Sequence, residues 1–458
     1  VQGRTHQKAV GALRNMLRSN LTLFIVLAVS LAANAGPLAL PQAVSSDTYP
    51  AHDDAEARLG QLLFYDPLLS GNRNISCATC HHPRFATSDG LSLGLGEGAV
   101  GLGPDRKASA DNPPEQRVPR NSPALFNLGA PEFTVLFHDG RIEADPSRPT
   151  GLRTPLEQEM VVGFDSILSA QTMFPVLSPD EMAGHYQENE IAKAVRQGRL
   201  TGQGGAWELI AARVADVPEY ADRFASVYPE IAAGRAIAFT DISNAIAAFV
   251  GFEWRSFESP FDAYLRDDGT LGEPATRGME LFYGPAGCAA CHSGPFQTDH
   301  AFHAMGQPQL GPGKAERFET HQRDVGRMRV TGRTEDAFAF RTPSLRNVTK
   351  TNPYGHAGAY GSLEAVVRHH LDPLAGLQIY VLSDPKLPEL PDAEDDRVLA
   401  DSAEMQAIAE ANELEPMQLS DAQIADVLAF LSELEDEASL AGRLGIPDRV
   451  PSGLPVDQ

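Results

Sequence analysis

Apolar residues recur at helical spacing in several segments of this chain, whereas the alternation typical of strands is scarce. The helical pattern covers residues 53–65, 241–254, 274–283, 362–370 and 421–434. A capping box, formed by Ser420 and Gln423, precedes the last of these segments. The stretches 91–117 and 304–334 are rich in glycine, proline and charge, which predicts loops. The pattern therefore predicts a mainly α fold with long loops.

The segments at residues 59–65 and 277–283 are similar to each other, with Gly, Leu, Phe and Tyr at matching positions. Two shorter blocks follow each of them in the same order, at residues 123–127 and 137–141 and again at 343–347 and 355–358. An internal repeat of this kind predicts two tandem domains that are built alike. We expect these domains to span residues 48–225 and 240–445, with a loosely packed tail at 446–458.

A Cys-x-x-Cys-His motif stands at residues 77–81, and a second one stands at 288–292. This motif attaches a c-type haem, because the thiols form thioether bonds to the haem and the histidine ligates the iron. A thioredoxin-like redox pair or half of a zinc site would use similar cysteines. Two copies, in a chain with four cysteines in all, argue against both alternatives. The sequence predicts two covalent haems, with these residues as thioether and iron ligands: Cys77, Cys80, Cys288, Cys291, His81 and His292.

Composition and charge narrow the class of protein. The 458 residues are 42% hydrophobic and 21% charged, as in soluble globular proteins, and they carry a net charge of −24 at pH 7. That charge argues against nucleic acids and anionic membrane surfaces as partners. It suits a basic protein partner such as a small cytochrome.

The N-terminal segment predicts export. An apolar run at residues 21–29 follows two arginines and precedes Ala-Asn-Ala at 33–35, which is a cleavage pattern of signal peptides. The run is short for a membrane span. We expect a signal peptide over residues 1–35, with Met16 as an alternative start, and a periplasmic mature protein without a membrane span. An uncleaved anchor is the alternative.

Together, the motifs resemble those of the bacterial di-haem cytochrome c peroxidase superfamily, which includes the MauG-type enzymes that modify proteins. Besides the haem motifs, the matching segments lie at residues 120–123, 137–141, 174–182, 341–348 and 353–358. The resemblance implies two cytochrome c-like haem domains with calcium between the haems. It also implies peroxide chemistry at the first haem and electron relay at the second.

A haem that reacts with peroxide needs a vacant sixth position on its iron. Many members of the family close this position with a histidine from the loop after the motif, but residues 83–119 contain neither histidine nor methionine. His82 is too close to His81 in the chain to reach the opposite face, so we expect an open first haem. The family uses a glutamate as acid and base with a glutamine ten residues before it, which implies these roles for Glu181 and Gln171. A charge at a helix start is the alternative interpretation of Glu181.

The second haem is expected to have two histidine ligands. The family's ligand opposite the position of His292 is usually Met, and in MauG it is Tyr; the matching helix position here is His370. His369 is the alternative, because neighbouring helix positions differ by about 100° and one of them faces the iron. Histidine in place of methionine lowers the reduction potential, since thioether ligation favours ferrous iron.

Two further expectations rest on the resemblance. The family usually has a tryptophan between the haems where this chain has His138, so His138 or another aromatic such as Trp254 is expected to take its place. The resemblance implies a calcium ion with oxygen ligands from Asn121, Thr351 and Pro353.

Three functions fit these expectations. The first is an H2O2-dependent enzyme that oxidises a partner protein, as MauG-like members do. The second is a cytochrome c peroxidase that reduces H2O2 to water with electrons from a small cytochrome. The third is a plain electron-transfer cytochrome, against which Glu181 and the open first haem argue. The open first haem and the ligand set of the second slightly favour the first function.

Overall fold

The computed structural model describes residues 39–314 and 321–458. The predicted signal peptide and its cleavage site lie outside these residues. Within these two ranges, the α-helices are α1 (Asp54–Tyr65), α2 (Cys77–Cys80), α3 (Ile167–Thr172), α4 (Glu190–Arg196), α5 (Ala206–Ala215), α6 (Pro218–Val227), α7 (Pro229–Ala232), α8 (Phe239–Glu253), α9 (Pro260–Leu265), α10 (Glu273–Phe282), α11 (Met328–Thr331), α12 (Leu363–Leu371), α13 (Pro373–Ile379), α14 (Arg397–Ala400), α15 (Ser402–Ala411), α16 (Asp421–Ser432) and α17 (Glu437–Ala441).

Strands are short and form three small antiparallel sheets in the described part of the chain. They are β1 (Ala99–Val100), β2 (Lys107–Ala108), β3 (Val135–Leu136), β4 (Ile142–Ala144), β5 (Leu152–Arg153), β6 (Phe302–Ala304) and β7 (Ala339–Arg341). The mainly α fold is thereby confirmed, and each of the five segments with helical spacing forms a helix: α1, α8, α10, α12 and α16. Among the described residues, we find no helix with the length and apolar character needed to cross a bilayer.

The repeated sequence forms the same helix pair twice. Helix α1 packs against α8, and the ring centroids of Phe64 and Phe249 lie 5.3 Å apart at their contact. Helix α10 packs against α16 in the same way, with Phe282 and Phe430 at 5.2 Å. These matching phenylalanines explain why the apolar pattern recurs in the two halves of the sequence.

An asparagine at a matching position in each half bonds to the backbone just beyond the second helix of its pair. The backbone N–H of Asn127 donates to the carbonyl of Trp254 just after α8, at 3.0 Å, and that of Asn347 donates to Leu434 beyond α16, at 3.1 Å. Both asparagines have a positive φ, which asparagine tolerates better than most residues. Because α8 completes the first pair, we propose that the first haem module extends through Glu253; the division into domains remains a prediction.

The helices approach closely at Gly60 in α1 and at Gly278 in α10. A Cβ at Gly60 would lie 1.8 Å from the carbonyl oxygen of Ala245, and a Cβ at Gly278 would lie 1.9 Å from that of Asp426. Neither backbone oxygen can move aside easily, so only glycine allows this crossing.

We predict that Gly278→Ala lowers the free energy of unfolding by about 2 kcal/mol. Overpacking against a backbone atom costs about 3 kcal/mol, and the better helix propensity of alanine returns about 1 kcal/mol. Denaturant unfolding of the haem-bound protein measures the change. Glu280→Ala, at an exposed position of the same helix, is the control and should change stability by less than about 0.5 kcal/mol. An unchanged midpoint for Gly278→Ala would contradict the close crossing.

The C-terminal tail packs against the first module. Val450 is 1% exposed, Ser452 Oγ donates to Asp66 at 2.7 Å, and Thr79 Oγ1 donates to Asp457 at 2.6 Å. The prediction of a loosely packed tail is therefore wrong. The tail is held by scattered polar contacts with distant residues, and these leave no periodic pattern in the sequence.

Candidate functional site

The first haem motif begins with α2 and ends in His81. The Nδ1 atom of His81 lies 3.0 Å from the backbone oxygen of Thr87 and 3.2 Å from Oγ of Ser122. A hydrogen bond from Nδ1 to the carbonyl fixes the ring and leaves Nε2 as the atom that can bind a metal. Burial lowers the pKa of His81, which favours the neutral imidazole that metals bind.

The second motif presents a pair of facing histidines. His292 Nδ1 lies 3.1 Å from the carbonyl of Gln297, and His370 Nδ1 lies 2.7 Å from the carbonyl of Val366, one turn earlier in α12. The two ring centroids are 6.4 Å apart, and the ring planes are inclined by 43°. Two metal–nitrogen bonds of roughly 2 Å, together with the two ring radii, fill a gap of this size. Burial, with a contribution from His370, lowers the pKa of His292 to about 4, so both rings are neutral at pH 7.

The neighbouring His369 is directed elsewhere. It is 2% exposed, its Nε2 lies 2.8 Å from the carbonyl of Met305, and its ring packs at 5.1 Å from that of Tyr360. The two adjacent histidines of α12 therefore have different environments, as their angular separation on a helix requires.

The donor set fits two c-type haems. All four cysteines are free of disulfides, so each motif offers two thiols beside a histidine whose Nδ1 is fixed by a carbonyl. Two thiols for thioether bonds followed by an imidazole for the iron are what covalent attachment of a c-type haem requires.

Glu181 lies close to the first motif, on a single π-helical turn at Pro179–Ala183. Burial raises the pKa of Glu181, while the positive charges of Lys314 and Arg141 oppose that rise. Burial also raises the pKa of the Cys80 thiol to about 12, and the charge of Glu181 adds to this effect. Glu181 is thus a carboxyl group of raised proton affinity beside the first haem motif.

The sequence places Gln171 in the predicted pocket and excludes His82 from the opposite face of the haem. Gln171 lies partly buried at the C-terminal end of α3. His82 is 1% exposed, and its Nδ1 accepts a hydrogen bond of 3.2 Å from the backbone N–H of Arg84. His82 is therefore held within its own turn.

The comparison with known proteins identifies the family. The profile of the di-haem cytochrome c peroxidase family matches residues 54–270. The methylamine utilization protein MauG of Methylorubrum extorquens is 30% identical over 382 residues, which cover 83% of this chain and 78% of MauG. The chain belongs to the di-haem cytochrome c peroxidase family. It is a haem peroxidase-type oxidoreductase of a family that uses two haems, as the sequence predicted.

Other relatives agree with this assignment. The cytochrome c551 peroxidase of Pseudomonas aeruginosa is 27% identical over 329 residues, which cover 72% of this chain and 75% of that protein. The crystal structure of a MauG-like protein associated with microbial copper homeostasis has a TM-score of 0.54 at 26% identity, covering 89% of this chain and 97% of that one. The diheme peroxidase BthA from Burkholderia thailandensis, at 21% identity and a TM-score of 0.52, supports the fold alone and covers 89% of this chain and 91% of its own.

A buried ion-pair network joins the two halves of this di-haem peroxidase. Arg120 donates to both carboxylate oxygens of Asp324, at 2.7 and 2.8 Å, and its Nη1 lies 2.8 Å from a carboxylate oxygen of Asp139. Burial would raise the pKa of Asp324, but Arg120 outweighs it and holds that pKa well below its usual range. Sequence analysis missed this network and Lys314, because no local motif links residues so far apart in the chain.

His138 lies at this junction, where the family usually has tryptophan. Its carbonyl accepts the N–H of Arg341 at 2.8 Å, and its Nε2 lies 3.1 Å from the carbonyl of Asn121. Burial and the charge of Arg120 lower the pKa of His138 to about 3, so the ring is neutral. Nearby, the rings of His356 and Phe340 are stacked, with 3.7 Å between centroids.

Trp254 lies away from the junction, whereas Asn121, one of the predicted calcium ligands, lies at it. Trp254 packs against Phe64 and Phe249 in the core of the first module, so it is not a junction residue. Asn121 is at the junction: its backbone N–H donates to the carbonyl of His356 at 2.9 Å, three residues after Pro353. The Asn121 Nδ2 donates to a carbonyl of the loop after the first motif, which leaves Oδ1 available. The calcium set with Thr351 remains a prediction.

Proposed function

We propose that this di-haem peroxidase reacts with H2O2 at its first haem, shares the oxidising equivalents with its second haem, and oxidises a partner protein. The observation that carries the proposal is the facing pair His292 and His370, with rings 6.4 Å apart. The family identity, with MauG among the relatives, also supports it.

In this proposal, the chain holds each haem through the two thiols of one motif and orients it with one histidine. The thiols are those of Cys77, Cys80, Cys288 and Cys291. His81 and His292 would ligate iron through Nε2, because each Nδ1 faces a backbone carbonyl. When bound, the haems supply the redox chemistry, and the protein tunes it through the axial ligands.

Glu181 would move the proton during peroxide cleavage. The oxygen that leaves as water must gain a proton, and the oxygen nearer the iron must lose one. A carboxyl group with a raised pKa is suited to accept and return that proton near neutral pH. Gln171 would contribute a polar group to the same pocket.

His370 would keep the second haem at low potential. Two imidazole ligands favour ferric iron more than an imidazole and a thioether do. A second haem that is easily oxidised can store one of the two oxidising equivalents. A stored equivalent gives time for the oxidation of a partner protein, so this ligand pair supports the MauG-like function over the cytochrome c peroxidase function.

The alternative is a cytochrome c peroxidase that reduces H2O2 with electrons from a small cytochrome. The similarity to cytochrome c551 peroxidases and the net charge of −24, which suits a basic donor, favour it.

We further propose a periplasmic location, covalent attachment of both haems, and a calcium ion at Asn121, Thr351 and Pro353. Oxygen ligands from a side chain and two carbonyls suit such a hard cation.

One equivalent of H2O2 added to the fully ferric protein distinguishes the two functions. We expect absorbance and EPR to show a long-lived oxidised state that changes the signals of both haems without any reductant. A protein that stays unchanged until one haem has been reduced would contradict the open first haem, and the cytochrome c peroxidase alternative would replace the proposal. Buffer without H2O2 is the control for autoreduction.

A further inference from the structure

A cavity of about 400 Å³ opens on the first module, and its lining includes neither histidine of the haem motifs nor a residue of the junction. Its lining combines polar side chains with the apolar surface of Gly98, Ala99 and Val100. The lining includes Asn72, Asn74, Glu97, Ser109, Asn112 and Glu188. Two carboxylates therefore line one space together with three side-chain amides and a hydroxyl.

Glu97 is buried in the wall of this cavity with half of its carboxylate unpaired. It is 1% exposed, and its Oε1 accepts hydrogen bonds from the amides of Asn72 and Asn74, at 2.9 and 2.8 Å. Its Oε2 is buried and has no hydrogen-bond partner among the described residues. Arg106 of the same loop directs its donors to backbone carbonyls. Burial of a carboxylate oxygen without a hydrogen-bond partner is unfavourable, because the oxygen loses its contact with solvent. A bound ligand would offset this cost.

Glu188 brings a second negative charge to the same space. Its two oxygens accept hydrogen bonds of 2.7 Å from the amides of Asn72 and Asn112. Burial would raise the pKa of Glu188, but these and other hydrogen bonds lower it, so Glu188 is ionised. The Asn72 amide nitrogen bonds to both glutamates, so the two carboxylates are neighbours.

We propose that this cavity binds Ca²⁺. Calcium takes six to eight oxygen ligands from carboxylates, amide carbonyls and water, in flexible geometry. Glu97 Oε2 and Glu188 supply the charge. A half-turn of the Asn74 and Asn112 amides places an oxygen where each nitrogen now stands, which adds neutral ligands, while Asn72 keeps its present orientation. The smaller Mg²⁺ demands a stricter octahedral arrangement and fits an open space of this size less well.

The site would also restrain the turn that carries Glu181. The backbone N–H of Glu97 donates to the carbonyl of Asp180 at 3.0 Å. At the other end of the turn, Asn189 Nδ2 bonds to the carbonyl of Ala183 at 3.0 Å and to Oδ1 of Asn72 at 2.9 Å. A cation that fixes Glu97 and Glu188, to which the Asn72 amide donates, therefore holds both ends of the turn. This effect on reactivity rests on the proposed role of Glu181, whereas the binding of Ca²⁺ does not.

Calorimetric titration of the chelator-treated haem protein with Ca²⁺ tests the binding. The titration is made in the background of Asn121→Ala, which removes the side-chain ligand of the calcium proposed at the junction. We expect one equivalent to bind in this background, and Glu97→Gln to weaken that binding roughly tenfold to a hundredfold. Glu188→Gln should act in the same direction. Glu115→Gln, at an exposed position of the same loop, is the matched control and should leave the affinity unchanged.

Two results would overturn the site: no binding in the Asn121→Ala background, or equal affinity with and without Glu97→Gln. Haem absorbance and circular dichroism establish that each variant is folded, and Glu188→Gln replaces Glu97→Gln if the latter does not fold. The rate of reaction with H2O2 separates the two parts of the proposal. Ca²⁺ should raise that rate when Glu97 is present and have no effect in Glu97→Gln. Binding without any effect on the rate would refute the restraint of Glu181 and leave the calcium site standing.

Discussion

Replacement of His370 by alanine will convert the second haem from low spin to high spin. The substitution removes one of two imidazoles whose rings face each other at 6.4 Å, and a ferric haem with one strong axial ligand is high spin. His370→Met should restore a sixth ligand but raise the reduction potential. Axial ligands set haem potentials over about 0.8 V, so a rise on the order of 0.1 V or more is expected. EPR and a spectroelectrochemical titration measure both effects.

The chain offers a matched control in the adjacent residue. His369 belongs to the same helix but bonds to the carbonyl of Met305, so His369→Gln should keep the low-spin signal. It should cost about 1–3 kcal/mol of stability, through the altered hydrogen bond of a buried side chain. A low-spin signal that survives in His370→Ala, or one that disappears in His369→Gln, would show that the ligand assignment is wrong.

Replacement of Glu181 by glutamine will slow the reaction with H2O2 by about 10²–10⁴-fold, the usual contribution of a general acid–base group. Both haems should remain bound, because the side chain is not a haem ligand in this proposal. Stopped-flow absorbance of the ferric protein measures the rate constant. Asp180→Asn, at the neighbouring residue, whose carboxylate accepts a hydrogen bond from Gln116, is the control and should change the rate little.

The pH dependence gives Glu181 a second test. The ionised form accepts the proton, and burial raises the pKa of this carboxyl group. The wild-type rate constant should therefore fall as the pH is lowered through that raised pKa, at a higher pH than an ordinary glutamate would give. Glu181→Gln should lack this step. A variant with the same rate and the same pH profile as the wild type would remove Glu181 from the mechanism.

Local features of this protein could be predicted from its sequence, and long-range ones could not. The helices α1, α8, α10, α12 and α16 were predicted because apolar side chains at helical spacing must face a core. The haem motifs were predicted because their chemistry is contained in five consecutive residues. The ambiguity between His369 and His370 could not be resolved, because it depends on the rotation of α12 about its axis.

Features that depend on residues far apart left no recognisable pattern. Arg120 and Asp324 are separated by 204 positions, and each alone is an ordinary charged residue. From the sequence, Glu97 is an ordinary charged residue of a loop, and only the structure shows that it is buried. The predicted loose tail failed for the same reason, because its partners at Asp66 and Thr79 lie near the other end of the described chain.

The packing of that tail makes the first haem module discontinuous in sequence. A fragment cut after Glu253 would keep the first motif and both helices of its pair but would lose Asp457, the partner of Thr79 inside α2. During synthesis, Thr79 can therefore meet Asp457 only after the whole second module has been made. Dissection into separately expressed halves should accordingly fail for the first module, and a bulky fusion placed directly after Asp457 should disturb the first haem before the second.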